Sequence, residues 1–313
     1  MELLVLREGA HGRSTAAYAE TLTRRLEEHT VRYASTPAEE RRWIGSADIV
    51  TGTSIDSSLL ERAENLRLFA CSFAGTSHLP LSSLADRGVE VTNASGVHAP
   101  NAAEHVVGSI VAFSRRLHEA ARADNWQPAS PGELSGSTVT IVGLGAIGEA
   151  VADRLDPFGV TTIGVRRSPE AGGPTDELLD PDSLHTALAR SDFVVLSCPL
   201  TDATRGLIGD AEIATLPSDS VLVNVARGEV IETDALVKGL RRGQVGGAAL
   251  DVTDPEPLPD AHPLWDLDEV LITPHTAGST PQYYDRLVEI VADNAKRLEA
   301  GEPLRNRVPI DGD

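Results

Sequence analysis

Three segments in the second half of the chain place polar, chemically capable side chains directly after apolar runs. They are NVARGEVI (224–231), ALDVTDPEPLP (249–259) and ITPHTAG (272–278). The side chains concerned are one guanidinium, two carboxylates and one imidazole: Arg227, Asp251, Glu256 and His275. An imidazole titrates near neutral pH and can transfer a proton, and a guanidinium fork can hold a carboxylate. Because parallel α/β sheets bind ligands beyond the carboxyl ends of their strands, we expect these side chains to converge on one crevice.

A glycine motif of the form G-x-G-x-x-G precedes these segments. It follows an apolar strand predicted at 139–142 and opens a helix predicted at 149–155, which is the context of a dinucleotide-binding turn. The first glycine allows a tight turn, the second lets the backbone approach a pyrophosphate, and the third lets the helix pack on the strand. The helix N-terminus adds free N–H groups and a partial positive charge. The positions predicted to contact the dinucleotide are Gly143, Leu144, Gly145, Ala146, Ile147 and Gly148.

The residues after the next predicted strand bear on which dinucleotide binds. An acidic residue about 20 residues beyond the motif would hold the ribose 2′-hydroxyl of NAD. This chain has Arg166, Arg167 and Ser168 there instead. Two guanidiniums and a hydroxyl suit a 2′-phosphate, which an arginine fork can bind through two hydrogen bonds. We therefore expect NADP(H) to be preferred, with NAD(H) also usable, because no acid is present either to repel the phosphate or to grip the ribose.

Short apolar runs separated by helical patterns predict two α/β units, and 313 residues suit two domains of roughly 150 residues each. In the first unit, the predicted strands are 2–6, 47–52, 66–71 and 89–93, and a helix is predicted over 14–29. In the second, the predicted strands are 139–142, 161–165, 192–198, 220–226, 247–252 and 269–275, with helices over 182–190 and 233–242. The predicted fold class is therefore α/β, with two Rossmann-like, doubly wound parallel-sheet domains and an active-site cleft between them.

Three further segments complete the predicted organisation. An apolar pattern predicts one long helix over 101–123, interrupted only by Gly108. Its apolar face is wide enough to serve as core, as a subunit interface, or as both. Residues 127–137 have the composition of a loop, and a last helix over 281–300 is ended by Gly301.

The charge balance is strongly acidic, with 47 Asp and Glu against 27 Lys and Arg and a net charge of −20 at pH 7. Such a charge repels nucleic acid and anionic membranes, so neither is expected as a partner. A GC-rich genome would explain why only Lys238 and Lys296 are lysines, but it would not explain the acid excess. In molar salt, repulsion among carboxylates is screened within about 3 Å, and we therefore expect a halophilic protein.

Several other classes of protein are disfavoured by the sequence. No apolar run approaches the ~20 residues of a membrane span, and the N-terminus lacks a basic segment before an apolar stretch. The two cysteines, Cys71 and Cys198, lie far apart without metal-ligand spacing, so neither a disulfide framework nor a metal site is expected. Together these features predict a cytoplasmic protein.

Taken together, the motifs resemble the D-isomer-specific 2-hydroxyacid dehydrogenase family. The resemblance covers essentially the full length and rests on five segments in the expected order: the glycine loop 143–148, SCPLTDATRGLI (197–208), NVARG (224–228), the segment 251–256 and TPHTAG (273–278). It implies that His275 donates the proton when a 2-ketoacid is reduced and that Glu256 is its partner. It also implies that Arg227 holds the substrate carboxylate and polarises the keto oxygen, while the nicotinamide supplies the hydride.

The same resemblance implies roles for residues outside this triad. Asp251 would accept a hydrogen bond from the nicotinamide amide. Ala74 and Gly75 would offer backbone N–H groups to the substrate carboxylate, alongside Arg227 and His275. Further cofactor contacts would come from Pro199, Thr204, Val225 and Ala226.

The family's organisation implies a flavodoxin-like substrate domain of residues 1–99 and 284–313 and a Rossmann domain of residues 100–283. The cleft would close on a small 2-ketoacid or D-2-hydroxyacid, and homodimerisation would occur through the cofactor domain. Substrate identity is weakly encoded, and we expect a reductase close to the NADPH-dependent glyoxylate/hydroxypyruvate or 2-ketoacid reductases. An NAD-dependent D-lactate or phosphoglycerate-type dehydrogenase remains an alternative, as does a dinucleotide-sensing regulatory protein without useful turnover.

Overall fold

The computed structural model describes residues 1–126 and 130–309. The chain forms two compact units: Met1–Val97 together with the chain from Thr280 onward, and His98–Ser279. Each unit is built on one parallel β-sheet. The predicted α/β class with two doubly wound parallel sheets is therefore confirmed.

The first unit alternates strands and helices along the chain. Its elements are β1 (Glu2–Val5), α1 (Thr15–Arg25), β2 (Thr30–Tyr33), α2 (Pro37–Trp43), β3 (Ile49–Gly52), α3 (Ser57–Leu60), β4 (Leu68–Cys71), α4 (Leu81–Ala85) and β5 (Glu90–Thr92). The strands lie in the order β2-β1-β3-β4-β5 and pair in parallel. This is the order of a flavodoxin-like sheet.

The second unit follows the same alternation with a larger sheet. Its elements are α5 (Ala99–Ser114), α6 (Leu117–Arg122), β6 (Thr138–Val142), α7 (Ala146–Leu155), β7 (Thr161–Val165), β8 (Glu177–Leu179), α8 (Leu184–Leu188), β9 (Phe193–Leu196), α9 (Asp210–Thr215), β10 (Val221–Asn224), α10 (Thr233–Arg241), β11 (Gly247–Leu250) and β12 (Val270–Ile272). The chain then returns to the first unit, where it forms α11 (Tyr283–Ala300).

The order of the second sheet determines where a ligand crevice can open. The strands lie in the order β12-β11-β10-β9-β6-β7-β8, and every neighbouring pair is parallel. The chain runs outward from β6 to β8, returns to β9 on the other side of β6, and continues outward to β12. The carboxyl ends of β6 and β9 therefore flank the topological switch point, where doubly wound sheets bind their ligands.

The central strands are continuous apolar runs because helices cover both faces of each sheet. Every residue of β3, β4, β9 and β10 is buried. In the first unit, α1 and α11 cover one face and bury Tyr18, Leu22, Leu287 and Val291 in a common core. These strands could be predicted from the sequence because burial on both faces selects an unbroken apolar run.

The prediction of a single helix over 101–123 was wrong. The structure has two helices there, α5 and α6. The chain breaks at Arg115 and Arg116, and Arg116 adopts a left-handed backbone with φ 54°. This turn places the buried ring of His118 on Phe113, with ring centroids 4.1 Å apart, and Nδ1 of His118 lies 3.1 Å from the carbonyl oxygen of Ala112. Helix α5 also starts earlier than predicted, at Ala99, with Pro100 in its first turn, where a missing N–H costs nothing.

Two edge strands were not anticipated. Strand β2 (TVRY) alternates between exposed and half-buried residues, and no residue of β8 (ELL) is fully buried. Neither carries the apolar run that identifies a central strand. Of the loop predicted over 127–137, residues 127–129 lie outside the described residues, and 130–137 form neither helix nor strand.

Within the described residues, no helix is both long enough and apolar enough to cross a membrane.

Candidate active site and nucleotide crevice

The glycine loop at the end of β6 is shaped by close backbone contacts. Gly143 has φ +97°, and a Cβ atom there would lie 2.6 Å from the backbone N and Cα of Cys198. A Cβ on Gly148 would overlap the carbonyl oxygen of Gly143, whereas one on Gly145 would meet nothing within 4 Å. Helix α7 begins at Ala146, directly after the loop. The tight turn, the open space at Gly145 and the exposed helix N-terminus fit a bound pyrophosphate.

A cavity of about 590 Å³ opens beside this loop, at the carboxyl ends of β6, β7 and β9. Its size suits a small-molecule or cofactor site. The predicted cofactor residues that line it are Gly143, Leu144, Gly145, Arg166, Arg167, Ser168, Pro199 and Thr204. The predicted cofactor residues outside its lining are Ala146, Ile147, Gly148, Val225, Ala226 and Asp251. Sequence reasoning missed five lining residues within its own motif SCPLTDATRGLI: Cys198, Thr201, Asp202, Ala203 and Leu207.

The two arginines of the crevice differ in their surroundings. Nη1 of Arg166 donates to the carbonyl oxygen of Gly172 at 2.6 Å and lies 3.5 Å from Oε1 of Glu149. Arg167 and Ser168 are exposed, and their side chains form no hydrogen bond or ion pair within the described residues. Arg167 therefore offers the crevice an uncompensated guanidinium, whereas Glu149 partly neutralises the charge of Arg166.

The hydroxyl of Thr204 is engaged in hydrogen bonds within the wall of the cavity, and its proton is used in one of them. Its Oγ1 donates to the carbonyl oxygen of Pro199 at 2.6 Å and accepts from the N–H of Thr201 at 2.8 Å. Val225 and Ala226 follow β10, where Ala226 is buried and donates its N–H to Oδ1 of Asn224. These bonds hold the turn 199–204 after β9 and the turn 224–226 after β10 in place at the carboxyl ends of the strands.

The imidazole of His275 lies against the carboxylate of Glu256. Nδ1 of His275 and Oε1 of Glu256 are 2.7 Å apart, and both side chains are about half-exposed, at 49% and 42%. His275 has a left-handed backbone with φ 52° and follows β12, whereas Glu256 lies in the segment after β11. Since a carboxylate only accepts hydrogen bonds, the proton between them belongs to Nδ1 of His275.

Arg227 lies in the turn after β10 and is exposed. Asn224 holds this turn by donating from Nδ2 to the carbonyl oxygen of Arg227 at 3.0 Å. The next residue, Gly228, packs so closely on the backbone of Thr253 and Asp254 that a Cβ would overlap it. The Arg227 turn thus lies against the segment that leads to Glu256. Within the described residues, no hydrogen bond or ion pair joins the Arg227 guanidinium to Glu256 or His275.

Asp251 is buried, and its carboxylate organises the segment that carries His275. Oδ1 accepts from Oγ1 of Thr273 at 2.6 Å and from the N–H of Thr276 at 2.8 Å, and Oδ2 accepts from the N–H of Ala277 at 2.9 Å. The N–H of His275 donates to the backbone carbonyl of Asp251 at 2.8 Å. A contact between Asp251 and the nicotinamide stays a prediction, and its bonds to residues 273–277 were not foreseen.

Ala74 and Gly75 lie in the first unit, in the exposed turn after β4. Asn93 donates from Nδ2 to the carbonyl oxygen of Ala74 at 2.8 Å, which holds the turn in place. The N–H groups of Ala74 and Gly75 have no acceptor within the described residues. Two adjacent, exposed amides of this kind can bind an anion such as a carboxylate.

Among residues 1–126 and 130–309, no group of three or more His, Cys, Asp or Glu side chains is arranged to hold a metal ion.

Comparison with known proteins agrees with the fold and the crevice. A family model described as D-isomer specific 2-hydroxyacid dehydrogenase, NAD binding domain, matches residues 107–277, more than half of the chain. A glyoxylate reductase of Thermofilum pendens is 38% identical over 261 residues, 79% of this chain and 76% of that protein. A glyoxylate reductase/hydroxypyruvate reductase of Mus musculus is 34% identical over 266 residues, 82% of this chain and 81% of that protein.

A similar solved structure extends the likeness to both units. It is a D-isomer specific 2-hydroxyacid dehydrogenase from Xanthobacter autotrophicus Py2 in complex with NADPH and MES, with a TM-score of 0.80 and 28% identity over 98% of each chain. The chain therefore belongs to the D-isomer specific 2-hydroxyacid dehydrogenase family of NAD(P)-dependent oxidoreductases.

Proposed function

We propose that this protein reduces small 2-ketoacids to D-2-hydroxyacids, with His275 as proton donor, Glu256 as its partner and Arg227 as carboxylate clamp. The observation that carries the proposal is the 2.7 Å contact between Nδ1 of His275 and Oε1 of Glu256. This contact orients the ring and leaves Nε2 to exchange a proton with a substrate. The names of the glyoxylate and hydroxypyruvate reductases related to this chain support a short ketoacid.

The reaction adds a hydride to the keto carbon and a proton to the keto oxygen. The nicotinamide, when bound, supplies the hydride. Nε2 of His275 donates the proton to the oxygen and takes it back in the direction of oxidation. The exposed guanidinium of Arg227 binds the carboxylate and stabilises the negative charge that develops on the keto oxygen. The adjacent, exposed N–H groups of Ala74 and Gly75 offer an anion-binding turn within the first unit.

NADPH is the preferred reductant in this proposal. Support comes from Arg167 and Ser168, which are exposed in the wall of the crevice, and from Arg166 beside them. A 2′-phosphate would gain charge-assisted hydrogen bonds from this group. NADH remains usable, because Glu149 compensates part of the positive charge of Arg166.

Steady-state turnover tests the proposal. The purified protein is assayed with NADPH and with NADH, in high salt, against glyoxylate, hydroxypyruvate, pyruvate and longer 2-ketoacids. Turnover that favours NADPH and a short ketoacid is the expected result. Turnover with NADH alone would favour the D-lactate or phosphoglycerate-type alternative. Cofactor binding without turnover on any ketoacid would instead favour a dinucleotide-sensing regulatory protein.

A homodimer formed through the dinucleotide-binding unit is part of the same proposal. Leu117 and Trp126 support it, because these large apolar side chains are 52% and 101% exposed and follow α5 closely in the chain. An exposed apolar surface is often covered by a partner. Light scattering on the purified protein measures the mass directly, and a monomer at all concentrations would contradict the dimer. A cytoplasmic location remains a prediction from the sequence.

A further inference from the structure

The N-cap residue and the first two turns of α5 present one polar face to the segment that carries His275. His98, Asn101 and His105 are spaced three and four residues apart, so their side chains lie on the same side of the helix. All three make hydrogen bonds to residues 273–279. We call His98, Asn101 and His105 the α5 polar face.

Two members of the α5 polar face bind backbone carbonyls at the end of this segment. Nδ1 of His98 donates to the carbonyl oxygen of Gly278 at 2.6 Å. Nδ2 of Asn101 donates to the carbonyl oxygen of Ala277 at 2.6 Å. Because a carbonyl oxygen only accepts, the Nδ1 atom of His98 must carry a proton. These contacts attach the end of the segment to a helix of the same unit.

The third member, His105, acts at the start of the segment through a hydroxyl. Nε2 of His105 lies 3.1 Å from Oγ1 of Thr273, and the same oxygen lies 2.6 Å from Oδ1 of Asp251. The hydroxyl has one proton, which it donates to the carboxylate, so it must accept the proton of Nε2. The hydrogen bonds are therefore donated from His105 to Thr273 and from Thr273 to Asp251. This direction requires a proton on Nε2 of His105.

Asp251 connects the hydrogen bonds of His105 and Thr273 to the backbone around His275. Its carboxylate accepts hydrogen bonds from the N–H groups of Thr276 and Ala277, and its backbone carbonyl accepts one from the N–H of His275. His275 sits between these bonds with a left-handed backbone, a conformation that non-glycine residues adopt only where surrounding contacts hold it.

We propose that His105 and Thr273 are positioning residues for the reaction, which hold the His275 segment so that Nδ1 of His275 stays on Glu256. The proposal rests on the proposed function, in which His275 is the proton donor. Neither His105 nor Thr273 touches substrate in it; both act through Asp251. A displacement of about 1 Å at a reacting group can cost on the order of 10²-fold in rate, so the hydrogen bonds at the far side of the segment matter to turnover.

Two pairs of variants separate the hydrogen bonds from the volume of the side chains. His105→Gln keeps a donor near the position of Nε2 and cannot titrate, whereas His105→Leu removes the donor. Thr273→Ser keeps the hydroxyl, whereas Thr273→Val removes it at nearly constant volume. Glu104→Gln is the matched control, because Glu104 is exposed on the same helix and faces Arg154 rather than the His275 segment.

We expect His105→Leu and Thr273→Val to lower kcat roughly ten- to hundredfold, with a smaller effect on KM for NADPH because the glycine loop and Arg167 are untouched. His105→Gln, Thr273→Ser and Glu104→Gln should keep kcat close to the wild-type value. Equal losses in His105→Gln and His105→Leu would overturn the proposal, as would a wild-type kcat in Thr273→Val. If His105→Leu does not fold, the Thr273 pair decides in the same way.

A second readout separates this inference from the proposed function. In protein labelled with ¹⁵N-histidine, the proton between Nδ1 of His275 and Glu256 gives its own NMR signal. His105→Leu and Thr273→Val should shift or broaden this signal, and His105→Gln should leave it in place. A wild-type protein without turnover would refute the proposed function, yet the NMR signal would still decide the positioning role. An unchanged signal in both disruptive variants would refute the inference alone.

Discussion

Nδ1 of His275 and Oε1 of Glu256 lie 2.7 Å apart, although 19 positions separate the two residues in the chain. The contact forms because His275 follows β12 and Glu256 lies in the segment after β11, and these strands are neighbours in the sheet. Because a carboxylate only accepts hydrogen bonds, Nδ1 of His275 carries the proton of this contact, and Glu256 orients the ring. In the proposed reaction, this contact leaves Nε2 of His275 to exchange a proton with the substrate.

His275→Gln tests the proton donor. We expect kcat to fall by roughly 10²–10⁴, the usual contribution of a general acid, with NADPH binding unchanged. Glu256→Gln should give a smaller loss, because the amide oxygen can still accept the Nδ1 proton but carries no negative charge. Steady-state kinetics and fluorescence titration of NADPH measure the two effects. A His275→Gln protein within a few-fold of wild type would exclude His275 as the donor.

Arg227→Lys tests the carboxylate clamp. A lysine keeps the charge but cannot form the two parallel hydrogen bonds of a guanidinium fork. We expect kcat/KM for the ketoacid to fall about tenfold to a hundredfold, since a hydrogen bond to a charged group contributes about 1.5–3 kcal/mol. Arg241→Lys, at an exposed position on α10, is the matched control and should behave as wild type. Equal kinetics for the two variants would argue against the clamp.

Arg167→Ala tests the preference for NADPH. The variant loses the uncompensated guanidinium of the crevice, so KM for NADPH should rise about tenfold, as expected for one lost charge-assisted hydrogen bond, while KM for NADH changes little. Arg154→Ala is the control, because Arg154 lies on α7 outside the lining of the cavity. If both KM values rise together, Arg167 supports the crevice rather than recognising a phosphate.

Cys198 reports on occupancy of the crevice. Its side chain is buried and lines the cavity, and burial raises the pKa of its thiol. Because the thiolate is the reactive form, alkylation by iodoacetamide should be slow at pH 7 and accelerate as the pH rises toward the raised pKa. NADPH should block the reaction. The measurement is made in Cys71→Ser protein, in which Cys198 is the remaining cysteine. A rate that is unaffected by NADPH would show that the cofactor does not occupy this cavity.

Salt should stabilise the fold, because the chain carries a net charge of −20. Screening lengths fall from about 10 Å at 0.1 M salt to about 3 Å at 1 M, which removes most repulsion between surface carboxylates. Tm should therefore rise, and activity persist, between dilute buffer and molar KCl. Differential scanning fluorimetry across a KCl series measures this, with sucrose as the control for exclusion from the surface. Full stability in dilute buffer would contradict the halophilic prediction.

The sequence by itself determined the fold class and the glycine loop. Gly143 and Gly148 could be interpreted from sequence because a missing Cβ is a local property: each sits where a Cβ would collide with backbone. The central strands could be predicted because burial on both faces demands an apolar run. The edge strands β2 and β8 could not, because their solvent-facing residues follow no such pattern.

Only the tertiary structure decided which polar groups meet. His105 and Thr273 are 168 positions apart, and their contact depends on how α5 packs against the segment that follows β12. The carboxylate of Asp251 accepts hydrogen bonds from two backbone N–H groups and one hydroxyl of the TPHTAG segment (273–278). The hydroxyl of Thr204 donates a hydrogen bond to the carbonyl oxygen of Pro199. Residue type and spacing identify which groups can do chemistry. The partner of each hydrogen bond depends on distances of a few ångströms between segments remote in the chain, and packing alone sets those distances.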